Sequence, residues 1–245
     1  GFDTIILVAC EPSTDLDADL FEHVACRREE IAALSAENPG RFVGVWSVDP
    51  NTGAAGVTAA QEVLAEPWCV GLHNHTHSWN LPFDDDRFED YYRLCAEHDV
   101  PFVMQAGLSG GDFPGECGRP GGIDRPATEF PSVRFVLSHT GWPWTTDTIA
   151  RATTFDNVYI GTASWPLRHW PAELREFATG EGAAKVLYGS GFPTTGHRQA
   201  ARQFGDAALT EGLDGESIAR ITSANARRVF TRLSEPNDDE TAEGT

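Results

Sequence analysis

Lysine is almost missing from this 245-residue chain: it occurs once, at Lys185, and every other basic side chain is an arginine. With 37 acidic residues against 18 basic ones, the formal net charge is −19. A surface of that sign repels phosphate backbones and anionic headgroups, which argues against nucleic acid and membranes as partners. Long apolar runs are missing too. Those that occur, such as TIILVAC at residues 4–10, are strand-sized and fall well short of the ~20 residues a membrane-spanning helix needs. No basic, apolar, small-residue leader opens the chain, so nothing signals secretion. Gly1 stands where an initiator Met would, and we expect a processed or incomplete product. Cys10, Cys26, Cys69, Cys95 and Cys117 are scattered without a CxxC pair. An odd count with no framework spacing reads as reduced thiols in a cytoplasm. No GxGxxG turn follows an early strand, which weakens a dinucleotide-binding reading.

Hydrophobic residues make up 40% of the chain, enough for a sizeable core. Apolar, β-rich runs recur at residues 4–10, 42–48, 68–74, 101–107, 134–140, 157–163 and 185–191. They are continuous rather than alternating, as expected of parallel strands buried on both faces. Between them lie helix-like segments. Residues 21–38 keep apolar positions at three-to-four spacing and end at Pro39-Gly40, residues 84–99 begin with three aspartates, and residues 216–233 close the pattern. Strand and helix repeated in this way give a parallel sheet with right-handed crossovers. The expected fold class is α/β, a TIM (β/α)8-type barrel without its first strand, with a gap or weak seam beside residues 4–10. An open doubly wound sheet is the competing architecture. The domain spans residues 1–233. Residues 234–245 are acidic, lack apolar anchors and read as a disordered tail.

In a barrel, the loops at the carboxyl ends of the strands carry the site. His73, Gln105, His139 and Ser190 fall at such ends. In LHNHTHSW, residues 72–79, histidine recurs at alternate positions, so Gly71, His73 and His75 share a strand face, with His77 in the loop beyond. Imidazoles converging there suit zinc or a similar divalent metal, with His73, His75 and His139 as candidate ligands. Strand-end histidines that only donate to backbone carbonyls are the plain alternative. His139, in LSHTGWPW, is the best single candidate for an acid or base. Trp79, Trp142 and Trp165, together with Ser190, are candidates to wall a pocket, and the tryptophans could equally plug the barrel end. Asp49 is read as capping a turn before Pro50, and Asp124 as a rim group.

Several stretches in order resemble the amidohydrolase superfamily, in the branch of aminocarboxymuconate-semialdehyde decarboxylase and its hydrolase relatives. They are RFVGVWSVDP (41–50), GLH (71–73), residues 84–107, FPSVRFVLSHTGWPW (130–144), NVYIGTASW (157–165), KVLYGSGFP (185–193) and SANARRVF (223–230). The resemblance implies a (β/α)8 barrel performing hydrolysis or decarboxylation of small carboxylated or cyclic substrates. It also implies a metal held by an HxH pair on the first strand, a His on each of two middle strands and an Asp on the last. Here the HxH strand is absent, Gln105 stands at the first middle His, His139 is the second, and Gly191 replaces the Asp. We therefore expect no tightly bound metal, with zinc or another divalent ion as the alternative. His139 would be the acid/base, with His73 and Gln105 orienting the substrate. Some relatives hydrolyse lactones without metal. A non-catalytic barrel binding a small molecule or a partner subunit is the second reading, and a homo-oligomer is compatible with either.

Acidic side chains with almost no lysine are the surface chemistry of a protein from a salt-rich cytoplasm. A GC-rich genome that substitutes Arg for Lys is the competing explanation. Under salt adaptation, repulsion among the excess carboxylates fades as the Debye length shrinks from about 10 Å at 0.1 M to about 3 Å at 1 M. The melting temperature is expected to rise between those concentrations of potassium chloride. A flat or falling trend in differential scanning fluorimetry would remove the salt adaptation.

Overall fold

The structure, a computed structural model, describes residues 2–10, 26–193 and 195–233. Seven strands run Ile5–Ala9 (β1), Phe42–Ser47 (β2), Cys69–Asn74 (β3), Phe102–Gln105 (β4), Phe135–Ser138 (β5), Val158–Gly161 (β6) and Val186–Leu187 (β7). All neighbours pair in parallel, and the spatial order is the sequence order, β1 to β7. Right-handed crossovers in an order that never reverses put every connecting helix on one side of the sheet. The other side must bury itself by curling. The alternating order of a doubly wound sheet is excluded, and the barrel expectation holds, with the two edge strands, β1 and β7, left unpaired with each other. A cleft of about 330 Å³ lies at this seam, between Thr4 just before β1, Ile6 of β1 and Tyr188 just after β7.

The two faces are packed differently. Outward residues such as Leu72, Phe102, Met104, Phe135, Leu137 and Ile160 meet the helices in one large core. Tyr92 sits at its centre, edge-on to Phe102 at 5.0 Å and Phe135 at 5.2 Å, with its hydroxyl donating to Phe83 O at 2.7 Å. Inward residues form a second core: Val45, Val136, Tyr159 and Leu187, joined by Val70 where the register between β2 and β3 shifts, and closed at the amino end of the barrel by Val229 and Phe230. Toward the carboxyl ends the inward positions turn polar. Ser47, His73, Gln105 and Ser138 have this parity, and the register sets Ser47 beside His73 and Gln105 beside Ser138.

The last segment is a plug fixed by hydrogen bonds. Helix Gly215–Ala219, a π-helical stretch Arg220–Ala224 and helix Asn225–Val229 follow one another. Asn225 Nδ2 donates to Ala183 O and Val186 O, both at 2.7 Å. Arg232 Nη1 donates to Leu64 O and Cys69 O at 2.7 and 2.9 Å.

Three expectations shift locally. Of the helix read at 21–38, residues 21–25 lie outside the described residues, and the rest is observed as Arg28–Glu37. Cys26 is not helical: it forms an isolated antiparallel bridge with Cys10, so backbone pairing outcompetes the helical periodicity there. The run at 185–191 contributes only Val186–Leu187 as strand, because the next N–H, of Tyr188, donates to Ile221 O of the terminal segment at 2.9 Å. The tail at 234–245 lies outside the described residues. Among the described residues, no helix is long and apolar enough to cross a membrane.

Replacing Asn225 by Ala strips two buried carbonyls of their donor. Each orphaned group costs about 1–3 kcal/mol. The urea midpoint of Asn225→Ala should therefore fall well below that of the parent chain, with an unchanged m-value.

Candidate active site

The carboxyl ends of four consecutive strands leave the sheet through residues with positive φ. After β4 comes Gly107 (φ +85°), after β5 come His139 (+61°), Thr140 (+60°) and Gly141 (+72°), after β6 comes Ser164 (+63°), and after β7 comes Gly191. Left-handed backbone at His139, Thr140 and Ser164 is costly for residues with a Cβ and persists where the surroundings enforce it. Gly107 shows one enforcement. A Cβ there would lie 2.7 Å from Gly141 C and 2.8 Å from Trp142 N, so the two loops pack backbone to backbone. Leu108 N–H donates to Trp142 O at 2.8 Å and closes that contact.

Into this rim project the histidines. His73, on β3, is 8% exposed, and its Nδ1 lies 2.5 Å from Ser47 Oγ. The strand stops at Asn74, so His75 does not share the strand parity of His73 as expected. It instead begins a short helix, Thr76–Trp79, where its Nδ1 meets Ser78 Oγ at 2.6 Å and its Nε2 meets Ser109 Oγ at 3.2 Å. His77 lies within that helix, fully buried, its Nε2 donating to Gly107 O at 2.9 Å. His139 follows β5 and is only partly buried.

The four rings form one electrostatic group. Burial pushes His73 down to about 3, with the charge of a protonated His139 adding to the effect. His75 is likewise pushed to about 3 by burial, then by His77, His73 and His139. His77 is lowered by burial against the opposing bond to Gly107 O. His139 falls to about 4 through burial and His77, partly offset by its bond to the Ala163 backbone. At neutral pH all four are uncharged imidazoles. In the same segments, Asn74 Oδ1, Thr76 Oγ1, His77 Nδ1 and Thr140 Oγ1 are buried and meet no partner among the described residues.

The other candidates are placed as follows. Gln105 is 8% exposed in the inward polar layer beside Ser138, whose hydroxyl donates to Met104 O. Trp142, 44% exposed, lies against Trp165 with ring centroids 5.5 Å apart, so two of the three tryptophans come together at the rim. Trp79 instead packs on the large core, with its indole nitrogen buried. Ser190 Oγ is 3.0 Å from His197 Nδ1, a partner the sequence reading missed. The signal for Ser47 was in the sequence: it ends the strand preceding His73. Asp49 caps the turn as expected, accepting from Asn51 N–H at 2.9 Å. Asp124 is not a site group, since its carboxylate is held by Arg151 at 3.1 Å beside an outer helix.

The sequence matches the family model described as amidohydrolase over residues 14–232. The chain belongs to the amidohydrolase family. A search of curated protein sequences gives no match. Solved structures do match. A TIM-barrel protein from Bordetella bronchiseptica, described as uncharacterised, shares 22% identity at a TM-score of 0.68, over 84% of this chain and 73% of its own. The 5-carboxyvanillate decarboxylase of Sphingomonas paucimobilis shares 20% at 0.66, over 94% of this chain and 79% of its own. That of Novosphingobium aromaticivorans, solved with bound manganese and a nitrobenzoic acid, shares 16% at 0.69, over 94% and 78%. At these identities the likeness carries the fold.

The metal implied by the amidohydrolase resemblance does not fit the residues present. Among the described residues, no group of three or more His, Cys, Asp or Glu is arranged to hold an ion. Both nitrogens of His75 are engaged by serines. At Gly191 a Cβ would lie 2.5 Å from Ser164 N and 2.6 Å from its Cα, so the last strand end has no room for a carboxylate.

The depressed imidazoles make stability pH-dependent. Each binds its proton less readily folded than unfolded, so the unfolded chain takes up more protons as pH falls from about 6.5 toward 3. Their contribution is present above pH 6.5 and is lost on acidification. Between pH 6.5 and 5, where most carboxylates stay ionised, the melting temperature should drop more for the parent chain than for His75→Gln. Equal slopes would contradict the burial of a neutral His75.

Proposed function

We propose that this amidohydrolase-family barrel hydrolyses or decarboxylates a small carboxylated or cyclic substrate at its carboxyl-end mouth, with His139 as acid/base. The observation that carries the reading is the contrast among the four imidazoles. His73, His75 and His77 are buried with their rings held by Ser47, Ser78, Ser109 and Gly107, whereas His139, also bonded to the Ala163 backbone, is the one that is only partly buried. A neutral imidazole reached from the mouth can take a proton from a water that attacks a carbonyl, and return it to the leaving oxygen. His73 and Gln105, on adjacent strands of the same inward layer, would orient the substrate. Trp142 and Trp165 would supply a flat wall, and Ser190 a polar contact at the end of β7. A strained His139 backbone is in keeping with a functional position.

Hydrolysis of a C–O bond suits this set better than decarboxylation. A neutral base activates water directly, while loss of carbon dioxide needs an acceptor for the electron pair it leaves behind. The decarboxylase neighbours keep the second chemistry in view, with 5-carboxyvanillate as the probe their names suggest. The buried hydrogen bonding of the other three histidines favours one further reading, a barrel that binds a small molecule or partner subunit without turning it over.

Small lactones, aryl esters and 5-carboxyvanillate, each with chelator or added manganese, form the test panel, read by proton NMR. General-base catalysis contributes about 10²–10⁴-fold, so His139→Gln should lose that factor in kcat/KM while its circular dichroism stays that of the parent. Substrate binding without turnover would establish the non-catalytic barrel, and turnover indifferent to His139→Gln would remove His139 from its role.

A further inference from the structure

Among the described residues, β1 is an edge strand hydrogen-bonded to β2 alone. At its carboxyl end the next residue, Cys10, lies opposite Cys26 in an isolated antiparallel bridge, with Cys10 N–H donating to Cys26 O at 3.0 Å. Residues that face each other across such a hydrogen-bonded pair hold their Cα atoms about 5.5 Å apart. A disulfide spans Cα atoms about 4.4–6.8 Å apart. The backbone at this point is therefore already at crosslinking distance. A disulfide also needs its Cβ atoms at about 3.5–4.5 Å, closer than a flat hydrogen-bonded pair offers. Directly opposed Cβ atoms lie about 4.5–5.5 Å apart, so closing the bond takes an approach of about 1 Å.

We propose that Cys10 and Cys26 are a reversible disulfide-forming pair, a covalent modification site that ties the end of β1 to the entry of helix Arg28–Glu37. The pair was invisible in the cysteine spacing because an antiparallel bridge, not a motif, brings the two together. With hydrogen peroxide as oxidant, the Cys26 thiolate attacks one peroxide oxygen and becomes a sulfenic acid, releasing water. The Cys10 thiol then attacks that sulfur, forming the S–S bond and releasing a second water. Two thiols are oxidised by two electrons and one peroxide is reduced to two waters. A dithiol reverses the step.

The remaining cysteines sharpen the assignment. Cys69 and Cys95 are fully buried, and burial pushes the Cys69 thiol up to about 11 and the Cys95 thiol higher still. Cys117 is buried and raised as well. Cys26 is partly exposed, which lets peroxide reach it, but burial and Glu30 raise its thiol too, so oxidation is slow and the pair rests reduced. A crosslink there restrains a strand that has a neighbour on one side only, and it constrains the unfolded chain besides.

The full chain is treated with hydrogen peroxide, alkylated under denaturing conditions and mapped by mass spectrometry. The expected product is a Cys10–Cys26 crosslinked peptide lighter by two hydrogens, with Cys69, Cys95 and Cys117 alkylated. The melting temperature of the oxidised chain should exceed that of the reduced chain by several degrees, and dithiothreitol should cancel the gain. Cys26→Ser, matched to the reduced parent in melting temperature, should show neither crosslink nor gain. Five alkylatable thiols after prolonged peroxide, a sulfinic acid at Cys26, or pairing of either residue with another cysteine would overturn the assignment.

Discussion

A sheet whose strands keep their sequence order has only one way to cover itself. All its crossover helices fall on one face, so the opposite face is left apolar and unpaired unless the sheet curls. The remaining features rest on this constraint. Curling brings Val45, Val136, Tyr159 and Leu187 into one inner core, and it makes the terminal segment with Val229 and Phe230 the natural stopper for the amino end. It also collects the carboxyl ends of the strands into a rim, the part of the inner face where side chains meet solvent. Polar residues of the inward parity, Ser47, His73, Gln105 and Ser138, lie there because the apolar core is already satisfied below them.

Much of that architecture was legible in the chain. Continuous apolar runs of β-rich residues marked all seven strands, and their regular spacing by amphipathic segments implied parallel pairing. The readable part stopped where periodicity meets geometry. His75 looked like a strand neighbour of His73 because alternate spacing was carried two residues too far. Strand pairing ends at Asn74, and a single turn of helix takes over with Ser78 as the ring's partner. Cys26 looked helical for the same reason, while its backbone bonds to Cys10 across a long sequence separation. Ser190 was found as a strand-end residue, yet His197, seven positions on at the start of a helix, could be joined to it only by the turn between them.

The histidine group shows how burial sets the chemistry of a ring cluster. Desolvation is the larger cause that holds the imidazoles uncharged, and each neighbour that protonates raises the cost for the others. The hydroxyls of Ser47, Ser78 and Ser109 satisfy ring nitrogens while leaving them neutral, a role that an aspartate would have filled differently by favouring the imidazolium. The result is a group of weak bases, of which His139 is the least buried and is carried on a left-handed backbone.

The close approach of Gly191 to Ser164 couples the ends of two strands. Both residues sit at positive φ at the ends of adjacent strands, and the space a side chain at 191 would need is filled by the backbone of its neighbour. An aspartate substituted at residue 191 would collide with the Ser164 backbone whether or not an ion were present. Ser164 would have to move to admit it. The present β6 turn and a side chain at residue 191 therefore exclude each other, so any change at this strand end must be made at both positions together.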